Sequence, residues 1–235
     1  MFGLFHKKRS ASDALLLKGG ADRHSHILPG VDDGIRTMED ALETLSYLES
    51  QGLAELWLTP HIMEDVPNRT EDLRARFAEL QAAYKGPVRL FLSAENMMDN
   101  LFAERLAKRD LLLHGEDSVL VETSTVAPPI DLWDMFGQMM SAGYRPLLAH
   151  PERYRYMSRK DYEKAHLLGV RFQLNLPSVV GAYGEEVRRR AVWLLGRGWY
   201  SMIGSDCHRL HALMRVCEAP VLDRRTLEQL KPLMK

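Results

Sequence analysis

The sequence predicts an α/β fold in which seven β/α units build a parallel sheet of barrel type. Three observations predict it. Short apolar runs that read as strands alternate with segments of helical period, the pattern of a parallel sheet rather than of separate helical and sheet blocks. No Pro/Gly/Ser-rich linker or low-complexity tract divides the 235 residues, which are enough for one large core. His, Asp and Glu recur just after the apolar runs, and in a closed parallel barrel the strand ends all open on one face, so such side chains meet there.

The elements follow in order. The first strand, 21–27, carries His24 and His26 two residues apart, so both project to one face and can bind one metal together. The glycine-bounded loop Pro29-Gly30-Val31-Asp32-Asp33-Gly34 can fold Asp33 back over that strand end. A helix at 38–50 leads to the strand 54–59, after which comes His61; a helix at 70–84 leads to the strand 88–93, after which comes Glu95. A helix at 100–108 precedes the strand 118–122, which ends in Glu122. A carboxylate at the buried end of an apolar strand must be paired, protonated or metal-bound. A helix at 130–142 precedes the strand 145–149 and His150, and prolines beside His61 and His150 fix the chain as it leaves each strand. A helix at 159–168, a strand at 171–175 and a helix at 184–196, with Val187, Ala191, Leu194 and Leu195 at helical spacing, lead to the last strand, 199–204, followed by Asp206 and His208.

A lone His is most often an ordinary core or surface group. The full set, at like positions relative to strand ends, is harder to explain that way. Imidazole and carboxylate are ligands of borderline and hard divalent metals, and carboxylates supply the charge that lets several cations sit close together. The expectation is a multinuclear metal site. His6, His114 and His166 lie away from strand ends and read as surface or loop residues, and His211, close behind His208, stays open. Asp32 and Glu152 read as partners that orient better candidates. The pairs Met97-Met98 and Met139-Met140 read as core filler or a surface contact, and Tyr154 and Tyr156 as residues able to line a substrate mouth.

Composition narrows the classes. Lys+Arg of 31 against Asp+Glu of 32 gives a net charge of -1, so no basic excess holds a nucleic-acid backbone. Two cysteines, Cys207 and Cys217, without a Cys-x-x-Cys pair argue against a disulfide scaffold and fit a reducing, cytoplasmic setting. Positions six after them are Leu213 and Asp223, not the Arg of a cysteine phosphatase. Phosphate-loop, dinucleotide-loop and H-E-x-x-H motifs are absent. Met1–Ser10 puts its apolar residues before its basic ones, unlike an export signal, and reads as a frayed terminus rather than a membrane or partner contact. No run approaches a membrane span. The expected organisation is an N-terminal extension, 1–19, and a single domain, 20–235.

The segment Asp22-Arg23-His24-Ser25-His26-Ile27-Leu28-Pro29-Gly30-Val31-Asp32-Asp33-Gly34, with Thr59-Pro60-His61, Glu95, Glu122, His150-Pro151-Glu152-Arg153 and Ser205-Asp206-x-His208, resembles bacterial PHP-domain (polymerase and histidinol phosphatase) protein-tyrosine phosphatases, the manganese-dependent capsule and exopolysaccharide phosphatases. The match spans about residues 20–210. The resemblance implies a distorted (β/α)7 barrel, TIM-like, with its metal site at the C-terminal strand ends. It implies three divalent metals, manganese foremost, with iron, zinc or magnesium as alternatives. Carried over, His24, His26, Glu95 and Asp206 hold the first metal; Glu95 bridges to the second, completed by Glu122 and His150; Asp33, His61 and His208 hold the third. Arg153 matches the arginine that grips the substrate phosphate, and with Asp206 and His208 forms the implied catalytic group. A second phosphate-binding arginine has no clear counterpart, Arg209 and Arg215 being the alternatives.

The implied reaction is hydrolysis of phosphotyrosine monoesters by direct in-line attack of a metal-activated hydroxide, with no phospho-enzyme. The implied partner is the tyrosine-rich tail of a membrane-bound tyrosine autokinase that controls polysaccharide export. Three positions depart from the pattern: Ile62 where many relatives carry a second His, Ala94 where Gly often precedes the bridging Glu, and Arg23, often apolar in relatives, whose side chain is expected to point out of the barrel. The rivals are a PHP-type phosphoesterase acting on a small ester such as histidinol phosphate or on nucleic-acid 3′ ends, a metal-dependent amidohydrolase, for which no strand-end lysine is present, and a non-catalytic binding protein of an envelope-polysaccharide complex.

Overall fold

The computed structural model describes residues 8–235, and the strands it contains all run parallel. They are β1 (Ala21–Asp22), β2 (Glu55–Leu58), β3 (His61–Ile62), β4 (Arg89–Leu92), β5 (Glu95–Met97), β6 (Ser118–Glu122), β7 (Arg145–Ala149), β8 (Arg171–Asn175) and β9 (Tyr200–Gly204). The helices between them are α1 (Met38–Ser50), α2 (Thr70–Ala83), α3 (Asn100–Lys108), α4 (Leu132–Ser141), α5 (Arg159–Leu167), α6 (Leu176–Val180) and α7 (Glu185–Arg197). Two more, α8 (Leu210–Glu218) and α9 (Arg224–Leu230), occupy the chain beyond the last predicted strand, and these, like α6, the alternation of strands and helices leaves unassigned.

The second and third expected strands form as β2 and β4, and each is followed, beyond its expected bounds, by a second short strand, β3 and β5; Pro60, with no N–H to give to a ladder, separates β2 from β3. The result is a three-stranded sheet, β1-β2-β4, and a six-stranded sheet, β3-β5-β6-β7-β8-β9, rather than one unbroken ladder. Backbone hydrogen bonds extend the first sheet past its strand ends and join it to the last strand of the second. The amides of Thr59 and Ser93 donate to Ser25 and Leu58 at 2.8 and 2.9 Å; those of Arg23, Asp206 and His26 donate to Ile203, His24 and Cys207 at 3.0, 2.8 and 3.0 Å. The first strand therefore meets the last, and the distorted α/β architecture keeps every strand end on one side.

Strand periodicity then separates two faces. Val119, Val121, Leu148, Phe172, Leu174 and Ile203 belong to the main core that the helices cover. The alternate residues Leu120, Leu147, Ala149 and Met202 form a second, small buried cluster. Glu122, Gln173, Asn175 and, on the first strand, Asp22, His24 and His26 share the parity of that inner face. Helix starts are fixed locally: Thr37 and Asp99 accept from the amides of Asp40 and Phe102, and Ser158 and Asp161 form a capping box on α5.

Residues 8–20 pack onto the body: Ala11, Leu16 and Leu17 are buried, and Arg9 and Leu222 exchange backbone hydrogen bonds. His6 and the remainder of Met1–Lys7 lie outside the described residues. Arg23 points away from the inner face, donating to the Lys235 carbonyl at 2.8 Å and pairing with Glu55. Among the described residues no helix is long and apolar enough to cross a membrane.

Gly204 lies where the inner face is most crowded. A Cβ there would sit 2.3 Å from His24 Cβ and 2.8 Å from the His24 nitrogen, whereas Gly137 in α4 has nothing within 4 Å of an added Cβ. Urea unfolding is expected to show Gly204→Ala destabilised by about 1–3 kcal/mol and Gly137→Ala stabilised by about 0.5–1 kcal/mol. Equal midpoints for the two variants would contradict this packing.

Candidate metal centre

Several candidate ligands are aimed by a neighbour. His24 Nδ1 lies 2.9 Å from Gln173 Oε1, which leaves Nε2 facing the interior. His26 Nδ1 lies 2.8 Å from Asp32 Oδ2. The Asp32 carboxylate also accepts from the amides of His61 and Gly34, at 3.0 and 2.9 Å, so it orients two ligand candidates and shapes the loop between them. That loop needs glycine at 34, where a Cβ would fall 2.1 Å from His26 O. Asn68 donates to the carbonyls of Val31 and His61, at 2.8 and 2.9 Å, and Asp22 accepts from the Ser205 amide at 2.8 Å. Asn175 Nδ2 donates to Asp206 Oδ2 at 2.8 Å. Asp32 thus plays the expected orienting role. Glu152 acts at one remove, accepting from the amide of Asn175 and from the hydroxyl of Tyr200.

The centre of the arrangement is Glu95, which is fully buried. Its Oε2 lies 3.2 Å from Nε2 of both His24 and His26 and 3.3 Å from His61 Nδ1. Its Oε1 lies 2.9 Å from His150 Nε2. Among the described residues neither Glu95 Oε2 nor His61 Nδ1 has a hydrogen-bond partner. Buried polar atoms without partners are costly, and here they converge on one point. Among the described residues three overlapping donor sets result, each with its ligand atoms within 4.8 Å of one another: His24, His26, Glu95 and Asp206; His26, Asp33, His61 and His208; and His61, Glu95 and Glu122. The all-oxygen-and-imidazole composition and the orphaned atoms fit divalent cations. His150 is outside these sets but lies 3.9 Å from Glu122 Oε2 as well as beside Glu95.

Two of these residues have backbones that a sequence does not advertise. His150, with φ of 32° and ψ of 53°, and Asp206, with φ of 52°, are left-handed non-glycine residues at strand ends. Such strain persists where surroundings over-determine it, often at functional sites. At His150 it has a visible effect. Ala149 occupies the inner face, so plain alternation would send the next side chain outward, yet the His150 ring meets Glu95.

A cavity of about 740 Å³ opens over these groups, lined by Asp33, His61, Glu95, Glu122, His150, Asp206 and His208 together with Arg153, Arg209 and Arg215. Arg153 Nη1 donates to Asp206 Oδ2 at 2.9 Å, and its guanidinium carbon lies 4.6 Å from the centre of the Tyr183 ring. Arg209 turns its Nη1 to the carbonyls of Asp33, Gly34 and His208, pinning the Asp33 loop.

Two other expectations change, those for His114 and Tyr154. His114 is buried, stacked on Trp57 at 4.1 Å with Nε2 2.9 Å from the Arg23 carbonyl; burial pushes its imidazole down to about 3, so it is a neutral core group and not a surface one. Tyr154 is fully buried and donates to the Ala149 carbonyl, so it supports the strand end instead of lining a mouth; Tyr183 is the aromatic at the cavity. His166 is exposed and stacks on Trp199, and His211 is exposed and does not line this cavity. Burial raises the Cys207 and Cys217 thiols, which are free, so neither offers a thiolate. Sequence reasoning missed Gln173, Asn175, Asn68 and Tyr183. Alternation in Arg171-Phe172-Gln173-Leu174-Asn175 was an available signal for the first two, since it puts two amides on the face opposite Phe172 and Leu174.

Comparison with known proteins agrees with this picture. The model of the capsular polysaccharide synthesis family CpsB/CapC matches residues 20–225. The chain is 26% identical over 196 residues to the tyrosine-protein phosphatase YwqE of Bacillus subtilis, covering 80% of this chain and 77% of that protein. It is 24% identical over 208 residues to the tyrosine-protein phosphatase CpsB of Streptococcus agalactiae, covering 80% and 83%. A crystal structure from work on YwqE of Bacillus subtilis and CpsB of Streptococcus pneumoniae, described as metal-dependent tyrosine phosphatases, superposes with a TM-score of 0.69 at 22% identity over 92% of this chain and 95% of the other.

The electrostatics of the cluster set its response to pH. Burial would lower His24, but the Glu95 and Asp206 carboxylates raise it to about 9, and Asp32 and Glu95 hold His26 well above the ordinary imidazole range against the same burial. Burial would raise Asp206, but His24, His150 and His26 hold it at about 2. Without metal, His24 and His26 therefore carry protons at neutral pH, and a cation must displace them. Calorimetric manganese titrations in buffers of different ionisation enthalpy are expected to show release of about one to two protons per chain, with apparent affinity climbing from pH 6.5 toward about 9. Because the folded value of His24 is raised, its contribution to metal-free stability is present below 6.5 and lost as pH rises toward 9. A pH-independent affinity would contradict the cluster. Asp32→Asn, which turns an amide toward donors, is expected to weaken metal binding by about 10–100-fold in the same titration.

Proposed function

The chain belongs to the capsular polysaccharide synthesis family CpsB/CapC, and from that premise and the geometry of the site we propose that it is a metal-dependent protein-tyrosine phosphatase, a hydrolase of phosphotyrosine monoesters. The observation that carries the reading is one cavity over three overlapping donor sets, two sharing Glu95 and the third joined to them through His26 and His61, with an arginine fork at their edge. A hydrolase of phosphate esters needs charge to accept a dianion and a way to generate a nucleophile at neutral pH, and this cavity supplies the residues for both.

Three divalent cations are proposed, manganese foremost. His24, His26, Glu95 and Asp206 would hold the first, Glu95, Glu122 and His150 the second, and Asp33, His61 and His208 the third. His61 turns Nδ1 toward Glu95 and Glu122 and Nε2 toward Asp33, so it stands between two of the sets. When bound, such cations lower the pKa of water toward neutrality and neutralise phosphate oxygens.

The remaining work falls to side chains. Arg153 presents a planar fork suited to two phosphate oxygens, and Asp206, which takes its Nη1, holds the fork in one direction. Asp206 in turn is held by Asn175, so one carboxylate links ligand set and phosphate grip. His208, with Nε2 3.3 Å from Asp33 Oδ1, stands at the rim and completes the catalytic group with Arg153 and Asp206. Arg209 is the second arginine proposed to face substrate, while its Nη1 secures the Asp33 loop. A phenolate with a pKa of about 10 leaves without a strong general acid, which suits a site whose ionisable residues are taken up as ligands.

We further propose a cytoplasmic enzyme acting on the tyrosine-rich tail of a membrane-bound tyrosine autokinase, a partner in keeping with the polysaccharide-synthesis family. In assays of phosphotyrosine peptide, phosphoserine peptide and histidinol phosphate, the first is expected to be preferred, with activity lost to chelator and restored by manganese. Arg153→Ala is expected to lower kcat/KM by at least about 100-fold, and Arg153→Lys to recover only part of it. Turnover of histidinol phosphate alone would replace this reading with the small-ester alternative.

A further inference from the structure

The cavity has two unlike halves. Its floor is ionic, made by Glu95, Asp206 and the surrounding imidazoles. One wall, from the segment joining β8 to α7, is apolar and contributes Pro177, Val180, Ala182 and Tyr183. Tyr183 sits between Gly181, with φ of 88°, and Gly184, with φ of 91°, so left-handed glycines on both sides turn this short segment over the opening. The ring lies 4.6 Å from the guanidinium carbon of Arg153 and is still 41% exposed at the mouth. Arg153 is thereby bounded on its edge by Asp206 and on its face by Tyr183, and its side chain remains 27% exposed toward an incoming group.

A single tyrosine two-fifths exposed is ordinary on a protein surface; what marks Tyr183 is its position. Here it borders the cation that would hold a phosphate, and the neighbouring wall residues are apolar. A phosphate resting on the floor would place the group esterified to it against this wall. An aryl ring can stack on or meet the edge of Tyr183; a short alkyl chain has no comparable face to offer.

Resting on the phosphatase reading above, we propose that Tyr183 is a specificity-determining residue, an aromatic wall that contacts the aryl group of the substrate and favours aryl over alkyl phosphate monoesters. Its stacking on Arg153 is what holds the ring at the correct height. The contact is with the ester group and not with the phosphate, so inorganic phosphate should not sense the ring.

The test compares wild type, Tyr183→Phe and Tyr183→Ala, each with its full metal complement and its thermal midpoint recorded. Phosphotyrosine and phosphoserine peptides of the same flanking sequence are the substrates, and binding of phenylphosphonate, methylphosphonate and inorganic phosphate is measured by calorimetry. Tyr183→Phe, which keeps the ring, is expected to retain the aryl preference. Tyr183→Ala is expected to lose about five- to tenfold in kcat/KM for phosphotyrosine and in phenylphosphonate affinity, with less than about a twofold change for phosphoserine, methylphosphonate and phosphate. Equal losses for aryl and alkyl compounds would show that the ring acts only through Arg153 and overturn the proposal, as would no loss at all. If wild type turns over no monoester yet binds phenylphosphonate in a ring-dependent way, the phosphatase reading fails and the aromatic wall stands.

Discussion

The structure depends on one buried carboxylate. Glu95 opens the three-residue strand β5 with no access to solvent, and four imidazoles are drawn around it. A charge in that position must be compensated by opposite charge close at hand. In the metal-free protein protonated His24 and the neighbouring imidazoles do this, holding the Glu95 carboxyl well below its ordinary range against the upward push of burial. Divalent cations would do it more completely, since Oε2 has no hydrogen-bond partner among the described residues. The choice between proton and metal is therefore built into the centre of the fold.

The rest of the inner face serves that centre. Gln173, Asp32 and Asn175 each take one polar atom of a ligand candidate and so decide which atom faces inward. An imidazole has two nitrogens, and only the hydrogen bond made by one commits the other to metal. Glycine at 204 lets His24 approach β9, and glycine at 34 lets the Asp32 loop fold against His26. Left-handed backbone at His150 and Asp206 bends two strand ends toward the same point, a local cost that the closely packed surroundings sustain.

Asp206 connects the two tasks of the cavity. One oxygen faces His24 and His26, at 3.7 and 3.5 Å, while the other accepts from Arg153 and Asn175. A change at the ligand cluster is thus felt by the guanidinium, whose carbon lies 4.6 Å from the centre of the Tyr183 ring. Arg209 performs a related task on the opposite side, tying the last strand's loop to the Asp33 loop through carbonyl oxygens.

Much of this was legible in the chain because it is written in local terms. The two-residue and helical periods located seven strand regions and the helices between them, and residue chemistry at strand ends singled out His24, His26, His61, Glu95, Glu122, His150, Asp206 and His208, which the structure gathers around one cavity and its buried floor. What the chain could not show is anything settled by contacts between distant segments. His24 meets Gln173 from 149 residues away, and Arg153 meets Asp206 from 53. The break at Pro60 was visible, but its partition of the strands between two sheets was not. Burial of His114 beneath Trp57, the left-handed turn that swings His150 inward and the placing of Tyr183 over Arg153 all arise from packing in three dimensions, where orientation is set by neighbours that no local pattern names.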